Sequence, residues 1–281
     1  MTPPRLFGIP ARDAPIVAVL RRGPSNWSHV GRWDLERGVY EPGAWIKANL
    51  YPQRADLSPD GRWLCYFTLK GPGAWPPGWT FVAVSRLPWV SALAAWGTCG
   101  TWTRGAHFVD DRRVQELGAP DAGEARPLTR RYGLALNRPV TFAVERRHGW
   151  TDTADTPPRA DGDLWDERRA DDVIVQKPRH KGDGACVLTA RGWFAAFREG
   201  PFGGRPRVAE YALVQRGISV PLGDVQWADW DGDGRLLVAT TDGRLQIRSV
   251  HDPAGFTVVH ETDLASLEPA PTAPPHDARV W

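Results

Sequence analysis

The chain has 281 residues, enough to bury a sizeable core without disulfide or metal staples. Its 29 Gly and 26 Pro interrupt it too often for a helical bundle, while 42% hydrophobic residues exclude a disordered chain. With 35 basic against 33 acidic side chains the net charge is +2, so no general field holds nucleic acid or an anionic membrane, and neither is expected as a partner.

The opening MTPPRLFGIPARDA has no apolar core of the kind a secretory signal needs, and no later stretch nears 18 uninterrupted apolar residues. A soluble cytoplasmic protein is expected. Arg outnumbers Lys 31 to 4, which together with abundant Ala, Gly, Pro and Trp is the usage of a GC-rich bacterial genome. Cys65, Cys99 and Cys186 are odd in number and widely spaced, so they suggest neither a zinc site nor a disulfide framework. Residues 16–22, 27–35 and 39–45 read as three strands joined by Gly-containing turns, a sheet one strand short. Residues 278–281 are apolar enough to supply the missing strand.

An internal repeat sets the architecture. Residues 55–64 read ADLSPDGRWL and residues 228–237 read ADWDGDGRLL, matching without a gap at Ala, Asp, Asp, Gly, Arg and Leu. A weaker copy, LTARGWFAAF at 188–197, places its turn at Gly192. Each copy has a short strand, a tight turn on Asp60-Gly61 or Asp233-Gly234, and a second strand apolar on both faces (63–69; 236–240). A strand of that kind is sandwiched between neighbouring layers. The last unit continues through strands at 225–229, 235–240, 244–249 and 256–260. Four antiparallel strands recurring every 40 to 50 residues or so form the blade of a β-propeller. Units begin near Pro52, Thr98, Gly133, Gly184 and Asp224. Together with the N-terminal strands they predict an all-β chain, a single propeller domain over residues 1–281 with six blades, or five as the alternative.

Two segments break the rhythm. Residues 149–183 are dense in charge, Pro and Gly and read as a surface insertion, with a strand only at 173–176 and a solvated charge run at 163–172. Residues 268–281 form a Pro-rich tail after a short helix at 263–267 capped by Thr262. This tail is expected to run extended along the rim and help close the ring.

LSPDGRWLCY, at residues 57–66, resembles the L-S-P-D-G-x-x-L-x-Y signature of bacterial TolB-like and WD40-like propeller repeats, and GDGRLL from Gly232 resembles it more loosely. The resemblance covers about ten residues in each of two units and implies a fold rather than an activity. The chain departs from exported TolB-like proteins in its opening residues.

Several constellations bear on chemistry. Asp229-Trp230-Asp231-Gly232-Asp233-Gly234 matches the opening of a calcium loop, but the later acidic ligand is missing: Leu237 and Thr240 stand where an acid is required. No metal and no cofactor are therefore expected. No nucleophile stands at motif spacing from a base, and the catalytic residues, if the chain has any, are unknown. His29, His107, Asp110 and Asp111 lie near strand ends, where a propeller gathers polar groups at its axis. Nine of the 15 tryptophans fall into two groups. Trp33, Trp63, Trp89, Trp96 and Trp193 lie in apolar strands and read as core. Trp75, Trp79, Trp102 and Trp150 lie in Gly/Pro-rich or polar loops, where aromatics anchor protein or peptide partners.

The reading that follows is a non-enzymatic binding or scaffold protein engaging a protein or peptide through one face and its loop tryptophans. The alternatives are a hydrolase or lyase with a His/Asp site in the central funnel, and a propeller that binds a small molecule or a sugar.

Overall fold

The computed structural model describes residues 3–70, 78–98, 105–116, 142–153, 173–181, 186–192, 210–252 and 255–281. Among these, one five-residue helix, α1 (Ala143–Arg147), and two 3-10 turns interrupt an otherwise all-β chain. Strands β1 (Arg5–Pro10), β2 (Ile16–Arg22), β3 (Ser28–Asp34) and β4 (Val39–Ile46) pair in chain order as a four-stranded antiparallel sheet. In the next sheet β5 (Asn49–Leu50) and β6 (Asp56–Leu57) both pair with β7 (Trp63–Leu69), which is followed by β8 (Thr80–Arg86) and β9 (Ala92–Gly97). A hairpin of β10 (Ala106–Asp110) and β11 (Arg113–Glu116) comes next. A five-stranded sheet then runs through β12 (Thr151–Asp152), β13 (Val173–Pro178), β14 (Cys186–Gly192), β15 (Glu210–Gln215) and β16 (Ile218–Pro221). The last sheet is β17 (Val225–Trp230), β18 (Leu236–Thr240), β19 (Arg244–Asp252) and β20 (Gly255–Asp263).

The chain packs as two compact units, Met1–Leu136 with Thr262–Trp281, and Asn137–Glu261. In the first, β2, β7 and β8 are buried on both faces, as their unbroken apolar runs require. Cys65, Phe67 and Val84 pack against Ala106, Phe108 and Val114, which seats the β10–β11 hairpin on the β5–β9 sheet. In the second unit Val175, Leu188 and Ala190 share a core with Trp230, Leu236 and Val238, joining the last two sheets face to face. Among the described residues no helix is long and apolar enough to cross a membrane.

The two repeats adopt the same turn with loops of unequal length. Gly61 and Gly234 have φ of 73° and 74°, the left-handed conformation that glycine adopts without a Cβ clash. Their N–H groups donate to Ser58 O and Asp231 O respectively. The first loop closes with Ser58 N–H on Trp63 O, the second with Asp231 N–H on Arg235 O, one residue earlier. Both are thus longer than the two-residue turn expected of Asp-Gly, and the second, ending in a left-handed glycine, has the three-residue hairpin form. The extra residue shifts the register, so that Leu57 pairs with Leu64 but Trp230 pairs with Leu236, and Asp56 pairs with Cys65 but Asp229 with Leu237. Leu64 and Leu237, aligned in sequence and both fully buried, therefore face opposite sides of their sheets.

Other expectations are corrected. The first sheet is not one strand short, because Arg5–Pro10 pairs with β2 from Arg22 back to Val17, while residues 276–279 form a 3-10 turn. Gly192 is the last residue of a central strand rather than a turn, and the Phe142 ring occupies the place of its absent side chain. Residues 263–267 make a single turn instead of a helix: the Asp263 carboxylate caps Ala265 N–H, and Leu267 N–H reaches Leu264 O. Within 149–183, β12 and the whole of β13 belong to a sheet, and residues 163–172 lie outside the described residues.

Candidate partner-binding surface

The four loop tryptophans have different fates. Trp79 directly precedes β8 and is 59% exposed, the largest aromatic surface that the β7–β8 connection presents among the described residues. Its backbone is pinned. Trp79 O accepts Lys70 N–H at 3.0 Å, Gly78 before it takes φ of 125°, and Thr80 after it is tied to Thr98 by a hydroxyl pair at 2.9 Å. The indole thus stands on a rigid strand end, and a contact made through it orders few extra bonds.

Trp75 and Trp102 lie outside the described residues. Trp150 is a correction to the loop grouping. It is buried beside Val175 and Leu188, meets Tyr211 edge-on at 6.4 Å, and donates its indole N–H to Asp229 Oδ2 at 3.3 Å. The polar residues around it in sequence suggest exposure, but Asp229, 79 positions away, supplies the buried acceptor that its N–H requires. Conversely Trp63, expected in the core, is only half-buried. The Arg62 and Arg86 guanidiniums lie 5.5 and 6.0 Å from its ring centre, and Trp281 packs on it at 5.5 Å while remaining 62% exposed.

The repeated Asp holds structure in both copies. Asp56 Oδ2 accepts Phe108 N–H at 2.8 Å, fixing β10 to its neighbour, and Asp229 accepts Lys177 Nζ at 2.7 Å as well as the Trp150 indole. In the calcium-like loop, Asp231 Oδ1 accepts the N–H groups of Asp233 and Arg235 and Oδ2 meets Arg235 Nε at 2.6 Å. Lys181 pairs with Asp233 and holds that carboxyl below its usual range. Arg235, Lys181 and the N–H groups of the turn thereby supply the charges and donors for these carboxylates. Among the described residues, no group of three or more His, Cys, Asp or Glu side chains could hold a metal ion.

Of the polar residues considered for chemistry, His29, Asp110 and Asp111 have separate partners. Asp110 accepts Arg112 N–H and Arg113 Nε, and these bonds hold its carboxyl low, whereas Asp111 accepts Asp60 N–H. His29 is buried, with Nδ1 3.1 Å from the Tyr40 hydroxyl and its ring 4.6 Å from that of Trp45. Burial, with Arg21 adding to it, lowers the His29 pKa to about 4, so the imidazole is neutral at pH 7. Burial likewise pushes the Tyr40 hydroxyl up.

The buried Arg21 was invisible in sequence, because two arginines ending an apolar strand read as exposed charge. Its Nε and NH2 groups bond Leu264 O at 3.0 Å and Leu267 O at 2.9 Å, a third bond goes to Gly23 O, and the guanidinium covers the Trp45 ring at 5.1 Å. Carbonyls in place of a carboxylate satisfy the charge, which ties residues 264–267 to β2. No family model matches this chain, and none of the curated proteins does.

Proposed function

We propose that the chain is a β-propeller that binds a protein or peptide partner without catalysis, using the surface around Trp79. The observation that carries the reading is the pairing of exposure with fixed backbone at Trp79: a large aromatic held out from a rigid strand end is the composition of an interface hot spot. The support for a propeller is that the described strands form several antiparallel sheets that follow one another along the chain, two of them carrying the same repeat turn. Five blades suit the sheets better than six, since the units expected to begin near Gly133 and Gly184 both contribute to β12–β16. The separate bonding of His29, Asp110 and Asp111 favours binding over catalysis.

The test is affinity capture from the source cell with the wild-type chain and with Trp79→Ala. The reading expects one partner to be lost, with binding weakened by about tenfold or more for a hot-spot side chain, while the melting temperature is unchanged. Undiminished capture of every partner by the variant overturns it.

A further inference from the structure

Residues 276–281 reach back to the start of β7 without joining a sheet. They open with the 3-10 turn His276–Arg279, which packs against β8, and among the described residues no strand pairs with them. Three contacts hold them there. Arg86 NH1 donates to Asp277 O at 2.8 Å and lies 3.7 Å from the Asp277 carboxylate, Ala278 is buried, and Trp281 packs on the half-buried Trp63 at 5.5 Å. Arg62, also beside the Trp63 ring, keeps Asp60 as its partner at 4.0 Å, so Arg86 is the cation that reads the segment. The chain before it is a tether. Arg21 fixes Leu264 O and Leu267 O to β2, and residues 268–275 then carry four prolines, the composition of a semi-rigid spacer. The bonds made there stay local: Thr272 Oγ1 donates to Ala270 O, Ala278 N–H to Pro275 O and Arg279 Nε to Pro274 O. Lifting 276–281 therefore breaks no ladder and leaves every sheet intact.

We propose that Trp63 and Arg86 form a second peptide-binding surface, which residues 276–281 occupy as a strap and vacate for a partner segment carrying an acidic residue four positions before an aromatic one. The seated segment itself shows what chemistry the surface accepts: the Asp277 carboxylate meets the Arg86 guanidinium and the Trp281 ring meets that of Trp63. These are contacts of a ligand rather than of a core. The ion pair is exposed, with 69% of the Asp277 side chain in water, and such pairs add little stability. Trp281 likewise stays 62% exposed although it supplies the aromatic contact that interface hot spots use. A partner segment of the stated pattern makes the same contacts, and the strap competes with it only through the high local concentration that the tether gives. The surface is separate from that of Trp79. Trp63 pairs with Arg86 at one end of the β7–β8 ladder, and Leu69 pairs with Thr80, next to Trp79, at the other.

The test is fluorescence anisotropy of a labelled synthetic peptide with the sequence of residues 275–281, titrated with the full chain. The wild type should bind it weakly, because the strap competes, and the double variant Asp277→Ala, Trp281→Ala should bind it at least about tenfold more tightly. Adding Trp63→Ala to that variant should abolish the gain, and a control peptide with alanine in place of both the Asp and the Trp should bind neither form. Equal binding by the wild type and the double variant, a gain that survives Trp63→Ala, or equal binding of the control peptide overturns the proposal. Hydrogen exchange of the wild type provides a check that needs no substitution. The Ala278 amide should exchange well before the amides of β8, because the strap lifts while the sheet stays closed, and excess peptide should quicken it further. An Ala278 amide as protected as those of β8, or one whose exchange the peptide leaves unchanged, also overturns it.

Discussion

Lys177 Nζ lies 2.7 Å from Asp229 Oδ1, and both side chains are buried in the core that joins the last two sheets. The same carboxylate takes the Trp150 indole and the Trp230 N–H, so it is fully satisfied, but three elements depend on it. Removing only the cation leaves a buried charge without compensation. Lys177→Met should therefore lower unfolding free energy by about 3 to 5 kcal/mol. Adding Asp229→Asn should recover part of that loss, because the amide carries no charge and its oxygen still accepts a bond. Urea midpoints of the wild type, both single variants and the double variant check this. Additive losses would show that the pair is uncoupled.

His29 gives the stability a pH dependence of defined sign. Its ordinary pKa is 6.5 and burial beside Arg21 lowers it to about 4 in the fold, so the unfolded chain binds a proton that the folded chain refuses. The stabilisation from a neutral His29 is complete above about pH 6.5 and is lost as pH falls toward 4, by roughly 3 kcal/mol across the window. His29→Gln keeps a polar side chain and removes the titration. Its melting temperature should vary less between pH 7 and pH 4 than that of the wild type; parallel pH profiles would remove His29 from the account.

Calcium should not stabilise the chain through the loop at 229–234. Asp231 is bonded by two backbone N–H groups and by Arg235, and Asp233 by Lys181, so a cation would have to displace partners already in place. A chelator in excess and calcium at millimolar concentration should both leave the melting temperature unchanged. Asp231→Ala should destabilise by about 1 to 3 kcal/mol in either condition, because buried donors of the turn lose their acceptor. An upward shift on adding calcium would overturn this, through the stabilisation that any ligand of the folded state confers.

Strand positions were legible because β7 and β18 are apolar on both faces and bounded by left-handed glycines, signals that lie within a few residues of each other. The register beyond each turn was not. Ser58 and Asp231 occupy the same place in the repeat and both cap it, yet their loops differ by one residue, and identity at six of ten positions conceals that difference. Arg5–Pro10 escaped for another reason. Flanked by prolines and interrupted by Gly8, it becomes a strand by pairing residue for residue with β2. Burial of the loop tryptophans depends on long-range partners: Trp150 finds Asp229, whereas Trp79 stays 59% exposed.

Trp79 and Trp150 should accordingly respond in opposite ways to the same change. Trp150 fills the core between the last two sheets and satisfies a buried carboxylate, so Trp150→Ala removes a large apolar volume and leaves Asp229 one donor poorer. The expected loss is about 3 to 5 kcal/mol, the usual range for a buried aromatic. Trp79 keeps 59% of its surface in water, and its backbone bond to Lys70 does not involve the side chain, so Trp79→Ala should cost less than about 1 kcal/mol. Chemical denaturation of the two variants side by side checks both magnitudes. The contrast also guards the binding experiment, because a Trp79 variant that melts like the wild type attributes any lost partner to the missing indole and not to a damaged fold. Equal losses at the two positions would place Trp79 in a packing role and remove it from the partner surface.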